Sequence, residues 1–225
     1  MARRARPSTS SSAPTSANLT CYEADIILID IIGFSKLESV EQHELITSFT
    51  ENYKQMIQSV IAESKIKFED LIGGFISTGD GFYSILAPSL KGYGVIFALS
   101  LKSFSDVALK KHTYFKGVRI AVHTGEVHPF HDILGHMNFV GDALNECARY
   151  LDQKRFDISH VVVSDTAFES FRLFLDKFPK YAEVLRDHGF RSGNAFEFED
   201  KHHYIYVGYV VWIRKNGIIN PPKVR

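Results

Sequence analysis

The stretch Asp25–Ile32, DIILIDII, decides the architecture. Apolar, mostly β-branched residues fill it without a helical period, so it reads as a strand buried on both faces. An ionised Asp inside such a strand is expensive unless a cation or strong donors compensate it, and Asp30 therefore requires a chemical account. A metal is the economical one; a buried, hydrogen-bonded carboxylate is the other.

Outward from Asp30 the chain runs Ile31-Ile32-Gly33-Phe34-Ser35. A strand turning to a helix through Gly offers the successive N–H groups of Ile32, Gly33 and Phe34 to phosphate oxygens. Leu45, Phe49, Tyr53, Met56 and Val60 then recur at helical steps and predict a helix from about Val40 to Glu63. Phe75–Leu86, FISTGDGFYSIL, is two strand-like runs broken at Gly79, Asp80 and Gly81, a hairpin signal. If that hairpin lies beside the first strand, Asp30 and Asp80 bracket one or two divalent ions; an Asp beside Gly is also ordinary turn chemistry.

A helix is expected over Tyr93–Lys110 and a half-buried strand over Gly117–Val127, GVRIAVHTGEV. After a loop, Asp142 is placed to cap a helix running to about Asp152, on which Asn145 and Arg149, four apart, share a face. An Arg fork suits phosphate oxygens, although surface pairing with an acid is its commoner use. A strand at Val161–Val163, a helix at Thr166–Leu175 capped by Ser164 or Asp165, and a strand at Tyr204–Ile213 follow, with Asp187–Glu199 read as loop. The order βαββαβαβαβ predicts a ferredoxin-like α+β sandwich, an antiparallel-rich sheet with helices mainly on one face.

Lys plus Arg and Asp plus Glu number 26 each, so no long-range field attracts nucleic acid or an anionic membrane. An RNA-binding module of the same layout would need a basic surface and exposed central aromatics, and neither is evident. The two cysteines, Cys21 and Cys147, have no metal-type spacing and suit a reducing compartment, and His123, His128, His131 and His136 lack tight zinc-ligand spacing. No apolar run approaches the ~20 residues that cross a bilayer. A cytoplasmic protein is expected, with residues 1–18 a disordered tail and 19–225 one domain. The tail's composition also resembles an organelle transit peptide, against which Pro7 and Pro14 argue.

Four segments in order, DIIGFS at Asp30–Ser35, STGDGF at Ser77–Phe82, VRIAVHTGEV at Val118–Val127 and VGDALNECAR at Val140–Arg149, resemble the class III nucleotidyl cyclase catalytic domain, across about Ala24 to Phe171. The resemblance implies the palm-like cyclase fold. It also implies two divalent cations, magnesium or manganese, held by Asp30, Asp80 and the Ile31 carbonyl, and displacement of pyrophosphate from the α-phosphorus by the ribose 3′-hydroxyl. Arg149 would stabilise charge on the α-phosphate and Asn145 orient the ribose, both from the partner subunit of a homodimer with composite sites. A phosphate-binding Lys is implied near the last strands, with Lys201, Arg214 and Lys215 as candidates.

The departure is at the base pocket. Where adenylyl cyclases carry Lys and Asp, and guanylyl cyclases Glu and Cys, this chain has Ile76 and Asn138. Ile76 cannot hydrogen-bond a base, whereas Asn138 both donates and accepts, and Tyr53 would fill space left by a smaller base. The chain is most similar in these respects to the stand-alone pyrimidine cyclases of bacterial antiphage systems, which implies UTP, then CTP, as substrate and a cyclic monophosphate as second messenger. The alternatives are an adenylate cyclase using ATP and an inactive nucleotide-binding dimer.

Overall fold

The computed structural model describes residues 20–153 and 160–222; the predicted N-terminal tail lies outside them. The chain opens with β1 (Tyr22–Ile31), then α1 (Ser39–Ser64), α2 (Phe68–Leu71), β2 (Ile72–Ser77), β3 (Gly81–Leu86), α3 (Gly94–Ala108), β4 (Val118–His131) and β5 (Met137–Val140). It continues with α4 (Asp142–Leu151), β6 (Val161–Ser164), α5 (Asp165–Lys177), α6 (Lys180–Asp187), β7 (Arg191–Ser192), β8 (Phe196–Glu199) and β9 (Ile205–Trp212). Among the described residues these strands form one sheet in the order β2-β3-β1-β4-β6-β9-β7, with β5 paired to β4 and β8 to β9. Only the β4–β6 pairing is parallel among them. This is the expected antiparallel-rich α+β sandwich.

Alternation along β1 divides the core. Ile27, Ile29 and Ile31 join Leu45, Phe49 and Met56 of α1, Phe97 of α3 and Phe171 of α5 beneath the sheet. Ala24, Ile26 and Leu28 point the other way, onto Ala143, Cys147 and Tyr150 of α4. Helices therefore cover mainly one face, and α4 packs on the second.

Asp25 shows how a carboxylate in this strand is satisfied without a ligand. It is fully buried, accepts from Gly92 N–H at 2.6 Å, Gly94 N–H at 2.8 Å and the Thr124 hydroxyl at 2.6 Å, and so caps the start of α3.

Three expectations are corrected. The loop read after Val127 is a hairpin, because β4 continues to His131 and returns as β5; Pro129 masked it, and the margin of the sheet tolerates a proline. The loop read over Asp187–Glu199 contains β7 and β8, short strands that only pairing with β9 reveals. Asp142 does not cap α4: Gly141 holds the cap position at φ 151°, and Asp142 is the first helical residue. Ser164 does cap α5, accepting from Ala167 N–H at 3.1 Å.

Candidate functional site

Asp30 is opposite Gly81 on β3 and Arg119 on β4. A Cβ on Gly81 would stand 1.9 Å from the Ile29 carbonyl oxygen, so only Gly lets the β2–β3 turn approach β1 this closely. Ile31 N–H donates to the Asp80 carbonyl at 2.9 Å, and the tight turn at Gly79, φ 96°, brings the Asp80 side chain back toward Asp30.

The two carboxyls interact directly. Burial lifts the Asp30 carboxyl to about 6; Arg119 pulls against that, and the hydrogen-bonded Asp80 reinforces it. Arg119 donates from Nη2 at 2.5 Å and Nε at 3.0 Å, both to Oδ2, and makes no bond to Oδ1. Among the described residues this pair receives the Arg119 fork on one oxygen and the Thr78 hydroxyl on Asp80 at 3.4 Å, whereas Asp25 has a donor on each oxygen. An all-oxygen set of two close carboxylates and a nearby main-chain carbonyl is what a hard divalent cation takes, so the residues present fit magnesium or manganese. Arg119 was not singled out from the sequence; it is a polar position of a half-buried strand, and only the β1–β4 register makes it meaningful.

Of the predicted phosphate-binding N–H groups, Ile32 is corrected. It donates to the Gly117 carbonyl at 3.0 Å. Gly33, at φ 72°, and Phe34 begin a single 3-10 turn, Phe34–Lys36, rather than α1 itself, and their N–H groups make no hydrogen bond among the described residues.

Asn145 is exposed on α4. One turn later Arg149 hydrogen-bonds the Tyr206 hydroxyl, lies 5.4 Å from that ring's centroid and pairs through Nε with Asp200 Oδ2 at 3.2 Å. Asp200 opens the β8–β9 turn, where its other oxygen accepts from His202 N–H at 2.8 Å and Tyr204 N–H at 3.1 Å. Of the three Lys and Arg candidates, Lys201 occupies this same turn, whereas Arg214 and Lys215 lie past the far end of β9.

Within one chain the two groups stay apart. Ile27, Val122, Val163 and Tyr209 form one rung across β1, β4, β6 and β9. Asp30 lies three residues to one side of it and Tyr206 three to the other, a separation of about 20 Å along the strands and about 14 Å across them. No arginine side chain bridges that distance.

The base-pocket candidates also separate. Ile76 sits half-buried on the α4 face, beside Tyr83. Asn138 turns its Oδ1 to the Phe139 N–H at 2.8 Å, so its amide Nδ2 remains the outward donor. Tyr53 is corrected: it lies on the α1 face, 4% exposed, hydrogen-bonded to the Ser84 hydroxyl and 4.5 Å from the Phe82 ring centroid, and packs as core. Its place on the apolar stripe of α1 decides this.

No helix among the described residues is long and apolar enough to cross a membrane. No protein-family model and no curated relative matches the sequence. Solved structures do match. The catalytic core of a rhodopsin-guanylyl cyclase with converted specificity, in complex with ATPαS, aligns with a TM-score of 0.56 at 16% identity, over 87% of this chain and 100% of that one. The guanylate cyclase domain of RhGC from Catenaria anguillulae, in complex with GTP, aligns at 0.54 with 15% identity over 87% and 100%. A bacterial light-regulated adenylyl cyclase aligns at 0.54 with 15% identity, over 92% of this chain and 56% of that one. The chain has the fold of the nucleotidyl cyclase catalytic domains.

Proposed function

We propose that the protein is a nucleotidyl cyclase that acts as a homodimer with composite sites and takes a pyrimidine nucleoside triphosphate, UTP ahead of CTP. The observation that carries the reading is the Asp30–Asp80 pair, two carboxyls brought together where the motifs expect metal, with burial pushing Asp30 up to about 6.

Two divalent cations held by Asp30, Asp80 and the Ile31 carbonyl would supply charge neutralisation at the triphosphate and acidify the ribose 3′-hydroxyl. The protein's own groups do the rest. Arg119 keeps Asp30 ionised and oriented, and the N–H groups of Gly33 and Phe34 receive phosphate oxygens. From the partner, Arg149, held by Asp200 and Tyr206, meets charge at the α-phosphate, Lys201 beside it reaches the outer phosphates, and Asn145 orients the ribose. The separation of Arg149 from Asp30 within one chain supports a shared site. So do the exposed Ile133, Leu134, Met137 and Val140 on the β4–β5 hairpin, apolar side chains that a second subunit would cover.

Asn138 supports uracil. With Oδ1 engaged, it offers a donor, which O4 of uracil accepts and the amine of cytosine does not. Ile76 supplies none of the polar contacts that read a purine. Synthesis of an antiphage second messenger follows from the resemblance in these positions. Incubation with each of the four ribonucleoside triphosphates and manganese, with products resolved by mass, tests the reading: cyclic UMP is expected as the main product. A preference for ATP overturns the pyrimidine assignment, and no cyclic product from any triphosphate overturns the enzyme.

A further inference from the structure

The far end of β1 carries a second cluster of ligating groups. Tyr22 pairs with Val127, so Cys21, one residue before β1, falls next to His128 on the neighbouring strand. Glu126 is two residues before His128 and projects on the same side of β4. One ligand atom from each of the three residues lies within 4.8 Å of the others, and His128 Nε2 is 3.0 Å from Glu126 Oε1.

We propose that Cys21, Glu126 and His128 form a binding site for a zinc-class cation, separate from Asp30 and Asp80. A thiolate, an imidazole and a carboxylate make a mixed, borderline-soft set that suits Zn²⁺ and disfavours magnesium, which takes oxygen ligands in an octahedron. Two residues at i and i+2 on one strand and a third across the ladder converge from the same side, which leaves the fourth tetrahedral position open to water. Cys21 is partly exposed and the other two are exposed, and an ion therefore reaches the site without unfolding. Binding exchanges the thiol proton for the metal: the sulfur keeps its electron pair, donates it to the cation, and the proton leaves to solvent.

The thiol is held above its ordinary value by desolvation and by the Glu126 carboxylate beside it, so in the absence of an ion the proton stays on sulfur. Asp30 is nine residues along the same strand, about 30 Å away. The second site thus differs from the first in place and in metal preference, and it does not depend on the catalytic reading. Its position has a structural consequence, because His128 pairs with Val140 at the base of the β4–β5 hairpin. A bound ion would staple the start of β1 to the root of that hairpin.

Linear spacing hid the cluster. The cysteine is more than a hundred residues from its partners, and only the β1–β4 register brings them together.

The test is Co²⁺ titration of the reduced full-length protein, followed by Zn²⁺. A thiolate-to-cobalt charge-transfer band is expected, displaced by Zn²⁺, and Zn²⁺ should slow alkylation of Cys21; Cys147 is buried and does not contribute. Cys21→Ser and His128→Gln should each lose the band, and Asp30→Asn should keep it. All three ligands sit at the sheet margin, and Glu126→Gln supplies a further removal that disturbs no packing. Absence of the band in the unsubstituted protein, or its persistence in Cys21→Ser, overturns the site. Zn²⁺ affinity unchanged in His128→Gln also overturns it, since binding would then belong to other surface histidines.

Discussion

Arg119 and Asp30 face each other across β4 and β1, and the guanidinium holds one carboxylate oxygen with both Nε and Nη2 while leaving the other open. Arg119 thus compensates a buried charge without filling the site. Arg119→Ala leaves Asp30 beside Asp80 with no counter-charge, and a loss of about a hundredfold in kcat/KM is expected. Arg119→Lys should recover part of it, because a point charge reaches the oxygen but cannot form the fork. Steady-state kinetics on both variants decides the matter; an Arg119→Ala enzyme within a few-fold of the parent would remove this residue from the site.

Two glycines flank Asp80 for different physical reasons. Gly79 has φ 96° but open space where a Cβ would stand, whereas Gly81 has the Ile29 carbonyl in the way. Gly79→Ala should cost about 1–2 kcal/mol of backbone strain. Gly81→Ala must push the hairpin off β1 and should cost about 3 kcal/mol or more, with loss of manganese binding as Asp80 moves away. Urea unfolding with and without manganese separates the two; equal costs would contradict the close approach.

How much of this was legible in the sequence depended on whether the information was local. Asp30 stood out because a charge in DIILIDII is anomalous in itself, whereas turn and helix spacing left Asp80, Asn145 and Arg149 open to ordinary readings and only the resemblance of the four segments singled them out. Alternation could not say that Arg119 meets Asp30, that Asp200 holds Arg149, or that Cys21 lies beside His128, since each pairing is a consequence of strand register between distant segments. The β5 and β8 strands were hidden for the same reason: they are short and stabilised by pairing with their neighbours. Tyr53 failed in the opposite direction, because a family-based role was laid over a residue whose helical stripe already marked it as core.

His123 makes stability pH-dependent. It is buried, bonded to the Ser164 hydroxyl at 3.0 Å, and stacked on Tyr150, and burial lowers its pKa to about 4 although Asp165 of α5 raises it and Glu146 of α4 lies 3.2 Å away. The unfolded chain takes up this proton below its ordinary value of 6.5, and the folded chain does so only near 4, so stability falls as pH drops through that window. The loss between pH about 7.5 and about 5.5 should reach up to about 1.3 kcal/mol, with Glu146 offsetting part of it. His123→Gln should lose that much less over the same range in denaturant unfolding; an identical pH slope would mean the imidazole is protonated in the fold.

Substrate choice should follow the two pocket positions. Ile76→Lys with Asn138→Asp restores the residues that the resemblance associates with adenine, on a half-buried strand position that a Lys can reach past. The double variant should gain at least about tenfold in the ratio of ATP to UTP turnover, since each polar contact to a base edge is worth roughly 1–3 kcal/mol. Competition between equimolar ATP and UTP reads the ratio directly, and an unchanged ratio would move the base pocket elsewhere.

The composite site makes a quantitative prediction about mixtures. Asp30→Asn removes the metal half from both sites of its dimer, and Arg149→Ala removes the other half from both of its own, so each alone should be nearly inactive. Equilibrated together in equal amounts, half the dimers should be mixed, and each mixed dimer pairs one doubly damaged site with one intact site. Activity should therefore return to about a quarter of the parent value. Recovery near zero, with sedimentation showing that the two variants do exchange subunits, would mean that Arg149 reaches Asp30 in its own chain, which the rung through Ile27 and Tyr209 forbids in this fold.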